Sequence, residues 1–131
     1  MIYVDSNVPM YLVGAAHPNK ERVIELTSQL LLAREVLVTS AETFQEILHR
    51  YRARRDPKHL AAAYEALEAL VSRVVDVTKP DVDHARTLLA RHPRPSSRDA
   101  LHAAVMERLG CAKIWSHDGD FDALPSLARI R

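Results

Sequence analysis

Short apolar runs without alternation punctuate this chain, and longer stretches with helical spacing lie between them. Ile2-Tyr3-Val4 is the first run, and Glu35 to Thr39, Arg73 to Val77 and Lys113 to Ser116 are the next three. Uninterrupted β-prone residues suit strands covered on both faces, as in a parallel sheet. Between them, Val23, Leu26, Leu30 and Ala33 predict a helix from Asn19 to Arg34. Phe44, Ile47, Leu48 and Tyr51 predict another, opened by Ser40 and closed near Asp56-Pro57, because the residue before a proline leaves the helical region. Further helices follow from Lys58 to Val71, from Pro80 to about Arg91, and from Ser97 or Arg98 to Gly110, a suitable left-handed cap. A short helix over Val8 to Gly14, with Pro9 in its first turn, follows the first strand. The tail adds a helical turn and a fifth, edge strand over Ala128 to Ile130. Strands alternating with helices predict one α/β domain, residues 1–131, with a mostly parallel sheet of four to five strands and helices on both faces.

This topology gathers acids. The first strand ends in Asp5, and the fourth is followed by Ser116-His117-Asp118. In a parallel sheet both ends reach the same edge, where ligands of open α/β sheets bind. Asp99 stands in the first turn of the helix leading into the fourth strand, where ordinary helix capping accounts for it equally well. Glu42 and Glu46 follow the second strand, one helical turn apart. At ~100° per residue both face away from the Phe44–Tyr51 stripe, which reads as a solvated face. Carboxylates gathered in one cleft raise one another's pKa unless a cation compensates, and hard oxygen-bound ions such as Mg²⁺ or Mn²⁺ are the natural partners. Such an ion suggests phosphodiester hydrolysis.

Charge changes the picture only once it is distributed. The chain of 131 residues carries 18 Lys and Arg against 17 Asp and Glu. Setting four acids aside for a metal leaves 13, a balance of +5. The bases cluster at Arg50, Arg52, Arg54, Arg55 and Lys58, and again at Arg91, Arg94 and Arg98. Such patches contact phosphate or serve as solvated helix faces. One cysteine, Cys111, rules out a disulfide framework and reads as a small buried hydrophobe. No basic leader precedes the first strand and no apolar run approaches the ~18 residues of a membrane helix, so the expected location is the cytoplasm with no membrane contact. The histidines lack the partner spacing of a zinc site, and His102 and His117 read as packing or surface residues, Tyr3 and Tyr64 as core.

Four segments in order, Asp5-Ser6-Asn7, Ser40 to Glu46-Ile47, Arg98-Asp99-Ala100 and Ser116 to Asp120-Phe121, resemble a PIN domain of the compact VapC ribonuclease-toxin type. The resemblance covers essentially the whole chain. It implies a divalent-metal-dependent endoribonuclease with Asp5, Glu46, Asp99 and Asp118 as catalytic acids, the metal held by Asp5, Asp99 and Asp118. It selects Glu46 over Glu42, and gives Asp120, Ser116, Asn7 and Ser6 supporting places. It implies Mg²⁺ or Mn²⁺, an RNA substrate, a VapB-type antitoxin and a homodimer. Arg50, Arg54, Arg94 and Arg98 are the candidate RNA contacts. Trp115 departs from the aliphatic pattern of its strand. The alternative is a PIN-like module that binds RNA or protein without cutting. A HAD phosphatase would need an acid where Asn7 stands, and a receiver would need Asp76 and Lys79 in a different strand order.

Overall fold

The structure, a computed structural model, describes residues 1–131. Five strands form one sheet: β1 (Ile2–Val4), β2 (Leu37–Ser40), β3 (Arg73–Val75), β4 (Lys113–Trp115) and β5 (Ala128–Ile130). Their spatial order is β3-β2-β1-β4-β5, and every neighbouring pair is parallel. Six α-helices fill the connections: α1 (Asn7–Val13), α2 (Pro18–Leu32), α3 (Ala41–Ala53), α4 (Pro57–Leu70), α5 (Lys79–Arg91) and α6 (Ser97–Leu109). A 3₁₀ turn, Gly119–Ala123, precedes β5.

The unalternating strands follow from a core on both faces. Ile2 and Val4 of the central β1 point into one cluster with Val23, Leu30, Ile47 and Leu67, while Tyr3 points into the other with Val38, Leu88, Val105 and Ile114. Because no face of β1 meets water, its sequence has no reason to alternate. The sheet is wholly rather than mostly parallel, and even the edge strand β5 runs with β4. Element ends shift by one or two residues from the sequence reading: β2 starts at Leu37, leaving Val36 half exposed, and β3 stops at Val75. Trp115, the unexpected aromatic, is fully buried among α1-side residues, with its indole Nε1 unpartnered.

Helix ends show how locally the chain is written. Gly110 closes α6 with φ of 68°, as its type predicts. The α2 and α3 ends use Arg34 and Arg55 in the same left-handed region, at 54° and 53°. In the usual left-handed ending, amides one and two residues past the last turn return to its carbonyls, and here Glu35 N–H reaches Leu30 O and Asp56 N–H reaches Tyr51 O. The α5 start is a reciprocal capping box between Thr78 and Asp81. Asp81, 3% exposed, also accepts from Arg108 Nε at 2.7 Å and Nη2 at 3.0 Å, tying α5 to α6.

The Arg108 contact holds the Asp81 carboxyl below its ordinary 3.8. Replacing Asp81 with Ala is expected to cost about 2 kcal/mol of unfolding free energy at pH 7, from a lost cap and two charge-assisted hydrogen bonds. A depressed carboxyl stabilises above its unfolded value, so the difference from wild type should shrink as the pH drops below 3.8 and through the lower folded value. Urea titrations at pH 7 and at a pH below 3.8 measure it.

Candidate active site

The carboxyl ends of β1, β2 and β4 open onto one edge, and the acids arrive there from four elements. Asp5 follows β1, Glu46 comes from α3, Asp99 from the first turn of α6, and Asp118 and Asp120 from the turn after β4. Asp5, Glu46 and Asp99 are buried, at 5%, 7% and 7% exposure, while Asp118 and Asp120 are partly exposed. Their ligating atoms form two groups: Asp5, Glu46 and His102 within 4.8 Å of one another, and Asp99, Asp118 and Asp120 likewise.

Small polar residues fix the first group. Asp5 Oδ1 accepts the Ser6 amide at 2.7 Å, and Oδ2 accepts Ser116 Oγ at 2.5 Å and Asn7 Nδ2 at 3.0 Å. Ser116 Oγ accepts in turn from the Asp118 amide at 2.9 Å, so one hydroxyl links both acids. Asn7 Oδ1 accepts the His117 amide, pinning the start of α1 against the turn after β4. Ser6 stands at the α1 N-cap but makes no capping bond; its hydroxyl donates to Glu46 Oε2 at 2.7 Å. Ser40, at the start of α3, is likewise diverted and bonds the Tyr3 hydroxyl at 2.6 Å. Two residues that look like plain helix caps are therefore parts of the site.

Asp99 does both jobs the sequence left open. Its Oδ2 accepts the Ser96 amide at 3.0 Å in a capping box, and its carboxyl faces Asp118 and Asp120. Glu46 corrects the periodicity reading: instead of solvation, it has a buried place between α1 and α6. The Phe44–Tyr51 stripe packs toward α4 and the sheet, so the opposite face of α3 meets the other acids rather than water. Glu42, one turn earlier, is partly exposed and accepts no hydrogen bond from the cluster. The arginines flank the acids on two sides. Arg50 and Arg54 line a cleft of about 370 Å³ with Asn7, Tyr11 and Tyr51. On the other side Arg94 pairs with Asp120 at 3.3 Å, and the charge of Arg98 reaches Glu46.

His102 was missed as a site residue. It is 1% exposed, and its Nε2 contacts Glu46 Oε1 while Nδ1 lies 2.7 Å from the Tyr3 hydroxyl. The only hint in the sequence is its place one turn after Asp99, on the same face of α6.

Crowding is visible in the proton affinities. Burial raises the Asp5 and Asp99 carboxyls above 3.8, aided by the charge of Glu46 and of Asp118 respectively. Burial also works against the Glu46 charge, but the His102 hydrogen bond and charge outweigh it and hold that carboxyl low. Carboxylates crowded at one edge, with Asp5 and Asp99 raised in proton affinity and backed by hydroxyl and amide donors, fit a hard divalent cation.

A carboxyl raised by folding keeps its proton more tightly in the folded protein, so its ionisation at neutral pH costs stability. Asp99→Asn, which still accepts the Ser96 amide, is expected to stabilise the metal-free protein by about 1 kcal/mol at pH 7, or about 3–5 °C in Tm. The gain should vanish as the pH falls through the folded Asp99 value, where wild type takes up the proton. Calorimetry in chelator at pH 7 and pH 4 reads both.

The family model for the PIN domain matches residues 2–127. The VapC ribonuclease Mb1869c of Mycobacterium bovis is 44% identical over 130 residues, covering 99% of each chain. Ribonuclease VapC23 of Mycobacterium tuberculosis is 41% identical over 118 residues, covering 90% of this chain and 93% of the relative. Among solved structures, VapC20 of Mycobacterium tuberculosis, described as a Sarcin-Ricin loop cleaving toxin, superposes with a TM-score of 0.77 at 27% identity over 100% of this chain and 99% of that one.

Proposed function

This chain belongs to the PIN domain family, among relatives named VapC ribonucleases, and from that premise we propose a divalent-metal-dependent endoribonuclease, the toxin of a toxin–antitoxin pair. The observation that carries the reading is the convergence of Asp5, Glu46, Asp99, Asp118 and Asp120 at one sheet edge, with Arg94 and Arg98 beside them and a cleft holding Arg50 and Arg54 adjoining at Asn7.

Asp5, Asp99 and Asp118 would hold Mg²⁺ or Mn²⁺, with Asp120 close enough to assist. When bound, such an ion activates water and neutralises charge on a phosphodiester. The chain's own residues do the rest. Ser116 and Asn7 keep Asp5 in one rotamer and carry that order to Asp118. Ser6 and His102 fix Glu46 beside Asp5. Arg50, Arg54, Arg94 and Arg98 grip phosphates on either side of the acids, and Arg94 can leave Asp120 for RNA because the pair is exposed. Hydrolysis forms a bond from water oxygen to phosphorus and breaks one from phosphorus to a ribose oxygen.

A VapB-type antitoxin and a homodimer belong to the same proposal. Ile24, Leu31 and Leu32 on α2 and Val82 and Leu89 on α5 are apolar and exposed, which supports protein partners on these helices. No helix is long and apolar enough to cross a membrane, and we infer a cytoplasmic protein.

Purified protein free of antitoxin should cleave folded RNA with Mg²⁺ or Mn²⁺, stop in chelator, and lose roughly 100-fold or more on Asp118→Asn. Metal binding without cleavage by wild type would favour the non-cutting module. Cleavage that survives both chelator and Asp118→Asn would defeat the reading.

A further inference from the structure

Beneath the acids runs a closed polar chain whose two central members, Tyr3 and His102, have the sequence signature of packing residues. Tyr3 is fully buried and His102 is 1% exposed. The Tyr3 hydroxyl lies 2.6 Å from Ser40 Oγ and 2.7 Å from His102 Nδ1, and His102 Nε2 meets Glu46 Oε1. The other Glu46 oxygen accepts Ser6 Oγ at 2.7 Å. The imidazole beside Glu46 carries its charge, so Nδ1–H donates to the Tyr3 hydroxyl, Tyr3 donates to Ser40 Oγ, and Nε2–H donates to Glu46. Five elements contribute: β1, the end of β2, α6, α3 and the loop before α1.

The geometry points to His102, aligned by Tyr3, as the positioning residue that fixes the Glu46 carboxylate for RNA hydrolysis; this rests on the endoribonuclease reading above. A glutamate has three side-chain torsions and needs two fixed points to hold its carboxylate plane. Ser6 supplies one and His102 the other. Asp5 repels Glu46 at close range, so with Ser6 alone the carboxylate would turn outward. The imidazole is itself unable to rotate, because Tyr3 engages its far nitrogen and the two rings sit 5.4 Å apart at 59°. Such backing of a site group by an outer hydrogen bond is what tunes metal and catalytic centres elsewhere. Glu46 is thus set before any cation or RNA arrives.

His102→Leu, His102→Gln and Tyr3→Phe, each alone and combined with Glu46→Gln, separate positioning from packing. Single-turnover cleavage of the RNA that wild type cuts is the first readout, with thermal unfolding to check that each variant is folded. His102→Leu should lower kcat about 10–100-fold with KM within about twofold. His102→Gln, whose amide nitrogen can donate where Nε2 does, should recover to within about fivefold of wild type, and Tyr3→Phe should fall between the two. In the Glu46→Gln background His102→Leu should cost no more than about twofold, since its effect runs through Glu46. Equal losses in both backgrounds, or no rescue by Gln, would assign His102 to packing and overturn the proposal. If His102→Leu does not fold, His102→Gln and Tyr3→Phe carry the same decision. The second readout is the imidazole ¹H–¹⁵N spectrum of the metal-free protein. A strongly downfield Nε2–H that moves on Glu46→Gln and weakens in Tyr3→Phe supports the relay even where wild type fails to cleave, which would count against the nuclease reading alone. An Nε2–H indifferent to Glu46→Gln removes the relay.

Discussion

Packing several carboxylates into the end of a parallel sheet is the constraint that the rest of this molecule answers to. β1 and β4 deliver Asp5 and Asp118 to the same edge because all five strands run the same way, and α3 and α6 add Glu46 and Asp99. Convergence then brings like charges together out of water, where their repulsion is least screened. The fold meets this cost with short polar side chains and backbone amides aimed at the acids. Ser6, Asn7 and Ser116 surround Asp5; Ser96 holds Asp99; the Asp120 amide caps Asp118 at 2.9 Å. None of these donors neutralises a charge, so orientation is achieved and an electrostatic deficit remains. That deficit is the capacity for a cation.

Glu46 is the exception in this scheme. Alone among the buried acids of the site it meets a histidine, and alone among them it has its carboxyl held low rather than raised. The site therefore has two kinds of carboxylate. Asp5 and Asp99 are left without a compensating charge, while Glu46 is already compensated by the chain. Enzyme sites commonly separate roles in this way, by giving chemically similar groups different surroundings.

The sheet, the helix order and the placing of Asp5, Asp99 and Asp118 near one edge were legible because local rules carry them, whereas Asp120 entered through the family resemblance. Unalternated β-prone runs, Pro at helix starts and Gly110 all act within a few residues. Glu46 was legible only through family resemblance. Its periodicity places it opposite the apolar stripe of α3, and periodicity cannot tell a face that meets water from one that meets other acids. His102 and Tyr3 were hidden for a related reason: burial of an aromatic says nothing about where its polar atom points. Ser40 misled in the opposite direction: it occupies an N-cap position, yet the Tyr3 hydroxyl took its side chain, while Ser6, given a supporting place by the resemblance, likewise turns from its N-cap position to Glu46.

The strand order has a consequence for how this protein is made. β1 occupies the middle of the sheet, yet one of its two neighbours is β4, whose register pairs Tyr3 with Ile114 and Val4 with Trp115. A ribosome releases those partners more than a hundred residues apart, at ~5–20 residues per second. Until β4 emerges, a nascent chain has one flank of β1 open, lacks Ser116 and Asp118, and holds no complete acidic edge. Long-range pairing of this kind is slow to close. Any nuclease activity built on this edge is thus deferred until β4 and the turn after it have emerged, so a fragment terminated before them carries the arginines of α3 but not the machinery they serve.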